Sequence, residues 1–94
     1  MKSLFITAYR YREDLDEDDL RDLTKKFVEV GASPGVTAHY TRLDGKGGFL
    51  IQEAGGDPEN DFEVMAQYTP WMHFDMIPVT TIEDAFPVIQ RLYG

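Results

Sequence analysis

From Lys2 to Tyr11 the chain alternates, with Leu4, Ile6 and Ala8 on one side and Phe5, Thr7, Tyr9 and Tyr11 on the other. That is the period-two signature of a strand. Both sides are largely apolar, which places the strand inside a sheet rather than at its rim. Leu20, Leu23, Phe27 and Val30 then recur at spacings of three and four, the stripe of an amphipathic helix over residues 16–30. Asp14 or Asp16 is its expected N-cap, and Gly31 with Ser33-Pro34-Gly35 ends it. Val36–Leu43 and Gly48–Ala54 read as two strands joined by Asp44-Gly45-Lys46-Gly47, a hairpin. A two-residue Gly45-Lys46 turn would set Tyr40 opposite Ile51, Arg42 opposite Phe49, Ala38 opposite Glu53 and His39 opposite Gln52.

Asp57-Pro58 supplies an N-cap followed by proline at the first helical position, and Phe62, Met65, Ala66 and Thr69 continue that helix until Pro70. His73–Thr80 is a further strand, with Phe74, Met76 and Pro78 on one side and His73, Asp75, Ile77 and Val79 on the other. Pro78 suits an edge position. Thr80 and Glu83 suggest a capping box for a C-terminal helix, in which Pro87 must occupy the first turn or introduce a kink.

The order β-α-β-β-α-β plus a terminal helix predicts an α+β fold of ferredoxin-like topology, a four-stranded antiparallel sheet with both main helices on one face, in one domain spanning residues 1–94. The other face then needs a cover. The expectation is that Phe5, Tyr9, Tyr11 and Phe49 lie on that uncovered side and are sealed by a second copy of the chain.

Composition narrows the function. Nine basic against seventeen acidic side chains give a formal net charge of −8, which repels nucleic acid and anionic membrane. The acids crowd into residues 13–22. Absence of cysteine removes disulfides, thiol chemistry and zinc-ribbon sites. No signal-peptide pattern or membrane-length apolar run occurs, so the expected location is cytoplasmic.

Pro34-Gly35-Val36, Gly48-Phe49-Leu50-Ile51-Gln52-Glu53-Ala54 and Trp71-Met72-His73-Phe74-Asp75-Met76-Ile77-Pro78-Val79 resemble a family of short bacterial proteins, a domain of unknown function within the dimeric α/β-barrel superfamily. That superfamily includes antibiotic-biosynthesis-type monooxygenases, stress-responsive barrel proteins, muconolactone isomerases and polyketide cyclases. The resemblance implies a homodimer whose two sheets face each other around a small-molecule pocket. Fold-level likeness does not choose among those chemistries.

The candidate chemistry is sparse. His39 lies mid-strand, where a polar ring either finds a partner or lines a cavity. Glu53, at a position where the resembled family carries an acid, would act as a base if desolvated, or would pair with Arg10, Arg42 or Lys46. These two are the candidate catalytic residues. Tyr9, Tyr11, Tyr40 and Trp71 supply apolar walls with polar handles, and His73-x-Asp75 sets an imidazole and a carboxylate on one strand side, completing the candidate ligand-binding set. Each also has a plainer reading as packing or a solvated surface.

No metal site is expected. Asp14-x-Asp16-x-Asp18 fails as a calcium loop because Asp19 and Lys25 stand where glycine and glutamate are needed. His39 and His73 fall on strands roughly 14 Å apart at about 4.8 Å per strand step. No phosphate loop, dinucleotide fingerprint or nucleophile elbow occurs, and no cofactor is expected.

Beside a plain role in stabilising or regulating a larger assembly, two functions remain. One is a homodimeric binding domain for a small apolar or aromatic molecule, with or without cofactor-independent catalysis. The other is an acidic interaction module that meets a basic protein partner or mimics nucleic acid through residues 13–22.

Overall fold

In the computed structural model, residues 2–53 and 56–94 are described. The elements run β1 (Leu4–Tyr11), α1 (Glu17–Val30), β2 (Val36–Thr41), β3 (Gly47–Glu53), α2 (Pro58–Ala66), β4 (Met72–Val79) and α3 (Ile82–Tyr93). The strands form one antiparallel sheet in the order β2-β3-β1-β4, the ferredoxin-like arrangement. The β1 strand is central, as its two apolar sides require, and Pro78 falls on the edge strand β4. Ala54, expected to end β3, lies outside the described residues.

Local chemistry explains where the helices begin. Asp16, not Asp14, caps α1: its carboxylate accepts from the Asp19 amide at 2.8 Å while the Asp19 carboxylate accepts from the Asp16 amide at 3.0 Å. Two orphan donors are satisfied reciprocally. Gly31 ends the helix at φ 72°, a left-handed conformation open to glycine. Asp57 caps α2 with Pro58 behind it. The third cap falls one residue later than the Thr80–Glu83 pattern suggests. Thr81 accepts from the Asp84 amide, and the Thr80 hydroxyl donates instead to the Lys2 carbonyl. Pro87 sits well inside α3, where it removes the amide that would bond the Glu83 carbonyl.

The hairpin loop is longer than expected. Arg42 N–H donates to the Gly47 carbonyl at 2.9 Å, so residues 43–46 form the loop, tightened by the Asp44 carboxylate accepting from the Lys46 amide at 3.0 Å. The observed pairs are Tyr40 with Phe49, His39 with Leu50 and Ala38 with Ile51, two residues from the expected register, with an irregularity between Val36 and Ala38. A shift of two preserves the side to which every side chain points.

The helices cover the side of the sheet opposite to the one expected. Tyr9 is only 6% exposed and forms the core with Leu23 of α1, Tyr68 beyond α2 and Met72. Tyr11, Val30, Leu50, Val64, Trp71 and Phe74 pack around them. The Tyr68 hydroxyl donates to the Gly31 carbonyl at 2.6 Å and ties the segment after α2 to the end of α1. The Phe5, Thr7, Tyr9 and Tyr11 side therefore faces the helices. The uncovered side carries Leu4, Ile6 and Ala8 with their neighbours Phe49, Ile51, Ile77 and Val79. Phe49 thus stands on the opposite side from Phe5, Tyr9 and Tyr11. Alternation is symmetric between the two sides of β1, whereas the hand of the β1-α1-β2 crossover is not.

Thr7 is wholly buried under the helix layer, and its hydroxyl has no hydrogen-bond partner among the described residues. An unmet buried hydroxyl costs about 1–3 kcal/mol, and valine has nearly the same shape without it. Thr7→Val is expected to raise stability by about 1 kcal/mol in urea denaturation. A loss of stability would show that the hydroxyl is satisfied in solution.

Candidate functional site

Between α1 and the sheet lies a pocket of ≈ 300 Å³. Leu23 and Phe27 of α1 form one wall, Leu50 and Phe74 line the sheet side, and the buried Tyr68 and Met72 also line it. Its polar groups are few, and the central pair is Tyr9 and His39. The Tyr9 hydroxyl lies 2.7 Å from His39 Nε2. Tyr9 is buried, whereas His39 is exposed on the edge strand β2. Phe27 meets the His39 ring edge-on across the opening, with centroids 5.8 Å apart. The pocket thus runs from a hydrogen-bonded imidazole at its mouth to a buried phenol inside.

This pair spans three strands, because β1 and β2 are separated by β3. Gly48 of β3 is paired with Tyr9 on one side and Thr41 on the other. A β-carbon at Gly48 would collide with the Tyr9 phenol and the Tyr40 carbonyl. The bare glycine lets the Tyr9 ring lie across β3 and reach His39. Tyr9 also packs against Tyr11, with ring centroids 5.9 Å apart.

Burial, and after it the neighbouring Tyr11 phenol, pushes the Tyr9 pKa up to about 12. The Tyr9 hydroxyl and His39 Nε2 share this hydrogen bond, the His39 tautomer setting which of the two donates, and Nδ1 is left for a ligand or water. Burial also raises the Tyr68 phenol above its ordinary value.

The fold divides the other sequence candidates. Tyr9, Tyr11 and His39 come together at the pocket. Trp71 packs against the core beside it, and its carbonyl accepts from the Arg12 amide at 2.9 Å. Tyr40, Glu53, His73 and Asp75 lie on the uncovered side of the sheet. Glu53 sits beside Leu4 at the far end of that side, exposed and without an ion pair among the described residues. His73 and Asp75 line an open polar groove with Arg10, Arg12, Glu13 and Asp14, and no hydrogen bond joins the two among the described residues. Arg12 is already engaged, donating to the Thr69 carbonyl at 3.0 and 3.2 Å. His39 and His73 stand on opposite edges and opposite sides of the sheet. No group of three or more His, Cys, Asp or Glu residues able to hold a metal ion occurs among the described residues.

Sequence reasoning did not single out Leu23, Phe27 and Gly48 as parts of the site. The two helical residues read as core stripe, and only the glycine inside a strand signalled a close approach.

Two measurements check this geometry. A phenol whose folded pKa exceeds its unfolded value stabilises the fold below the unfolded value near 10 and loses that contribution as pH rises toward about 12. Absorbance titration is expected to show a late-ionising tyrosine near pH 12 that Tyr9→Phe removes. Gly48→Ala is expected to cost about 1–3 kcal/mol in thermal denaturation, since overpacking moves both Tyr9 and the β2 backbone.

No helix among the described residues is long and apolar enough to cross a membrane. No curated protein matches the sequence. A family match covers residues 3–93, nearly the whole chain. With that coverage and this fold, the chain belongs to the family described as Domain of unknown function (DUF3303).

Proposed function

We propose that the domain binds a small apolar or aromatic molecule in the pocket between α1 and the sheet, with Tyr9 and His39 as its polar end. The observation that carries this reading is the ≈ 300 Å³ volume walled by Leu23, Phe27, Leu50 and Phe74 and bearing the hydrogen-bonded Tyr9–His39 pair. Small-ligand sites combine apolar walls with a few convergent polar groups, and this volume lies at the lower end of their range. Among the described residues no lysine or arginine lines the pocket. The ligand class that fits is therefore neutral, with a hydroxyl or carbonyl at one end.

The same pair can move a proton. With Nε2–H donating to the Tyr9 oxygen, the bare Nδ1 of His39 accepts a proton from a ligand hydroxyl; in the other tautomer Tyr9 O–H donates to Nε2 and Nδ1–H donates to a carbonyl. Such chemistry needs no cofactor. Glu53 lies across the sheet and takes no part in this reading.

Acidic docking has less support. Asp16 and Asp19 cap α1, while Glu17 and Asp18 pair with Arg21 at 2.7 and 2.9 Å. Much of the acidic run thus has a local role at the positive end of a helix.

The test is a thermal-shift screen of neutral aromatic compounds, each paired with the hydrocarbon lacking its oxygen. Binders are expected to raise the melting temperature, with His39→Ala weakening the oxygenated compounds about fivefold, the worth of one hydrogen bond, and leaving the hydrocarbons unchanged. Failure of all compounds to shift the melting temperature at millimolar concentration would remove the proposal, as would equal weakening of both classes by His39→Ala.

A further inference from the structure

A second hollow lies at the end of the sheet, where β1 gives way to the segment before α1. Its volume is ≈ 530 Å³, and Arg10, Arg12, Glu13, Asp14, His73 and Asp75 line it, with Tyr11 as an apolar wall shared with the helix-side pocket. Two guanidinium groups and three carboxylates therefore border one space. No ion pair joins them among the described residues, whereas Arg21 and Arg42 elsewhere on the chain do close on neighbouring carboxylates.

The strand ladder explains why these charges stay apart. Arg10 stands directly opposite His73, while Asp75, two residues along β4, stands opposite Ala8. All three side chains share the uncovered side of the sheet, so the Arg10 guanidinium and the Asp75 carboxylate are diagonal neighbours rather than a facing pair. Facing Arg10 is an imidazole, which brings no negative charge to the guanidinium. Beside Asp75 the small methyl of Ala8 leaves space. Arg12 is held from the other direction. Its Nε and one terminal nitrogen donate to the Thr69 carbonyl at 3.2 and 3.0 Å, which fixes the guanidinium plane and leaves the second terminal nitrogen unengaged among the described residues.

Charge then selects the ligand. The formal net charge of −8 opposes the approach of a plain anion. A plain cation would satisfy the carboxylates and leave both arginines without an anion. A guanidinium takes a carboxylate through parallel N–H···O bonds, and a carboxylate accepts from an ammonium group. A molecule that carries both charges on neighbouring atoms meets both requirements and is neutral overall. An α-amino acid in its zwitterionic form is such a molecule, and Tyr11 offers its carbon skeleton an apolar surface.

We propose that this groove binds a free α-amino acid, with the ligand carboxylate on Arg10 beside Arg12 and the ligand ammonium on Asp75. Glu13 and Asp14 add negative charge on the ammonium's side of the balance. The site is separate from the pocket between α1 and the sheet, and the proposal does not rest on that pocket being occupied.

Titration of the isotope-labelled protein with each of the common free amino acids, followed by amide-correlation NMR, tests the proposal. At least one is expected to shift the signals of Arg10, Tyr11, His73 and Asp75 at millimolar concentration. Its N-acetyl derivative, which lacks the ammonium, and its carboxamide, which lacks the carboxylate, are each expected to bind at least about tenfold more weakly, the worth of one charge-assisted hydrogen bond. Arg10→Gln is expected to weaken the amino acid about tenfold and leave the carboxamide unchanged, and Asp75→Asn to weaken the amino acid about tenfold and leave the N-acetyl derivative unchanged. Both side chains are exposed, so the two variants are expected to keep the wild-type melting temperature. Absence of any shift in these signals overturns the proposal, as does a derivative that binds as tightly as its parent. Should either variant fail to fold, the derivative series on the wild-type protein alone decides the matter.

Discussion

The Tyr9 ring lying across Gly48 is the contact on which the helix side of this protein depends. One strand must be bare at one position for a side chain of β1 to reach β2. That contact makes Tyr9 both the centre of the core and the inner wall of the pocket. Leu23, Tyr68 and Met72 bury the ring, and its hydroxyl finds the His39 nitrogen that a buried phenol requires. Packing and the candidate chemistry therefore share one residue, and the pocket cannot change shape without disturbing the core.

The sheet does different things on its two sides. Toward the helices it carries aromatics with hydroxyl ends and one imidazole; away from them it carries aliphatic residues between polar ends, with Glu53 at one end and Arg10, His73 and Asp75 at the other. Had the helices covered the aliphatic side, the Tyr9 phenol would have opened to water and its pKa would have no reason to rise. Instead desolvation raises it to about 12. The two sides of one small sheet thus carry different chemistry.

Much of this architecture was legible in the sequence, because local signals agreed with one another. Both apolar sides of Leu4–Tyr11, the Asp57-Pro58 cap and the glycine after Val30 gave the element order and its ferredoxin-like topology. Pro78 marked an edge. What was hidden had a physical reason. A strand apolar on both sides does not reveal which side its helices take, and here large aromatics, which alone look like an interface, turned inward. The hairpin register depended on an aspartate turn at Asp44 that lengthened the loop by two residues. At the candidate site, Tyr9 and His39 were each visible as polar groups in apolar strands, yet their meeting required the strand order and the vacancy above Gly48 together. His73 and Glu53 looked equally promising and are held apart by the sheet itself.

The sheet's two margins complete the picture. On β4 the ring of Pro78 replaces an amide, and on β2 the ladder is irregular between Val36 and Ala38. Each interruption spoils the even row of donors and acceptors that a foreign strand would need to zip onto. A chain with so much bare aliphatic surface would otherwise be at risk of open-ended, fibre-like stacking. Blunted rims withhold the template on which such a stack would grow.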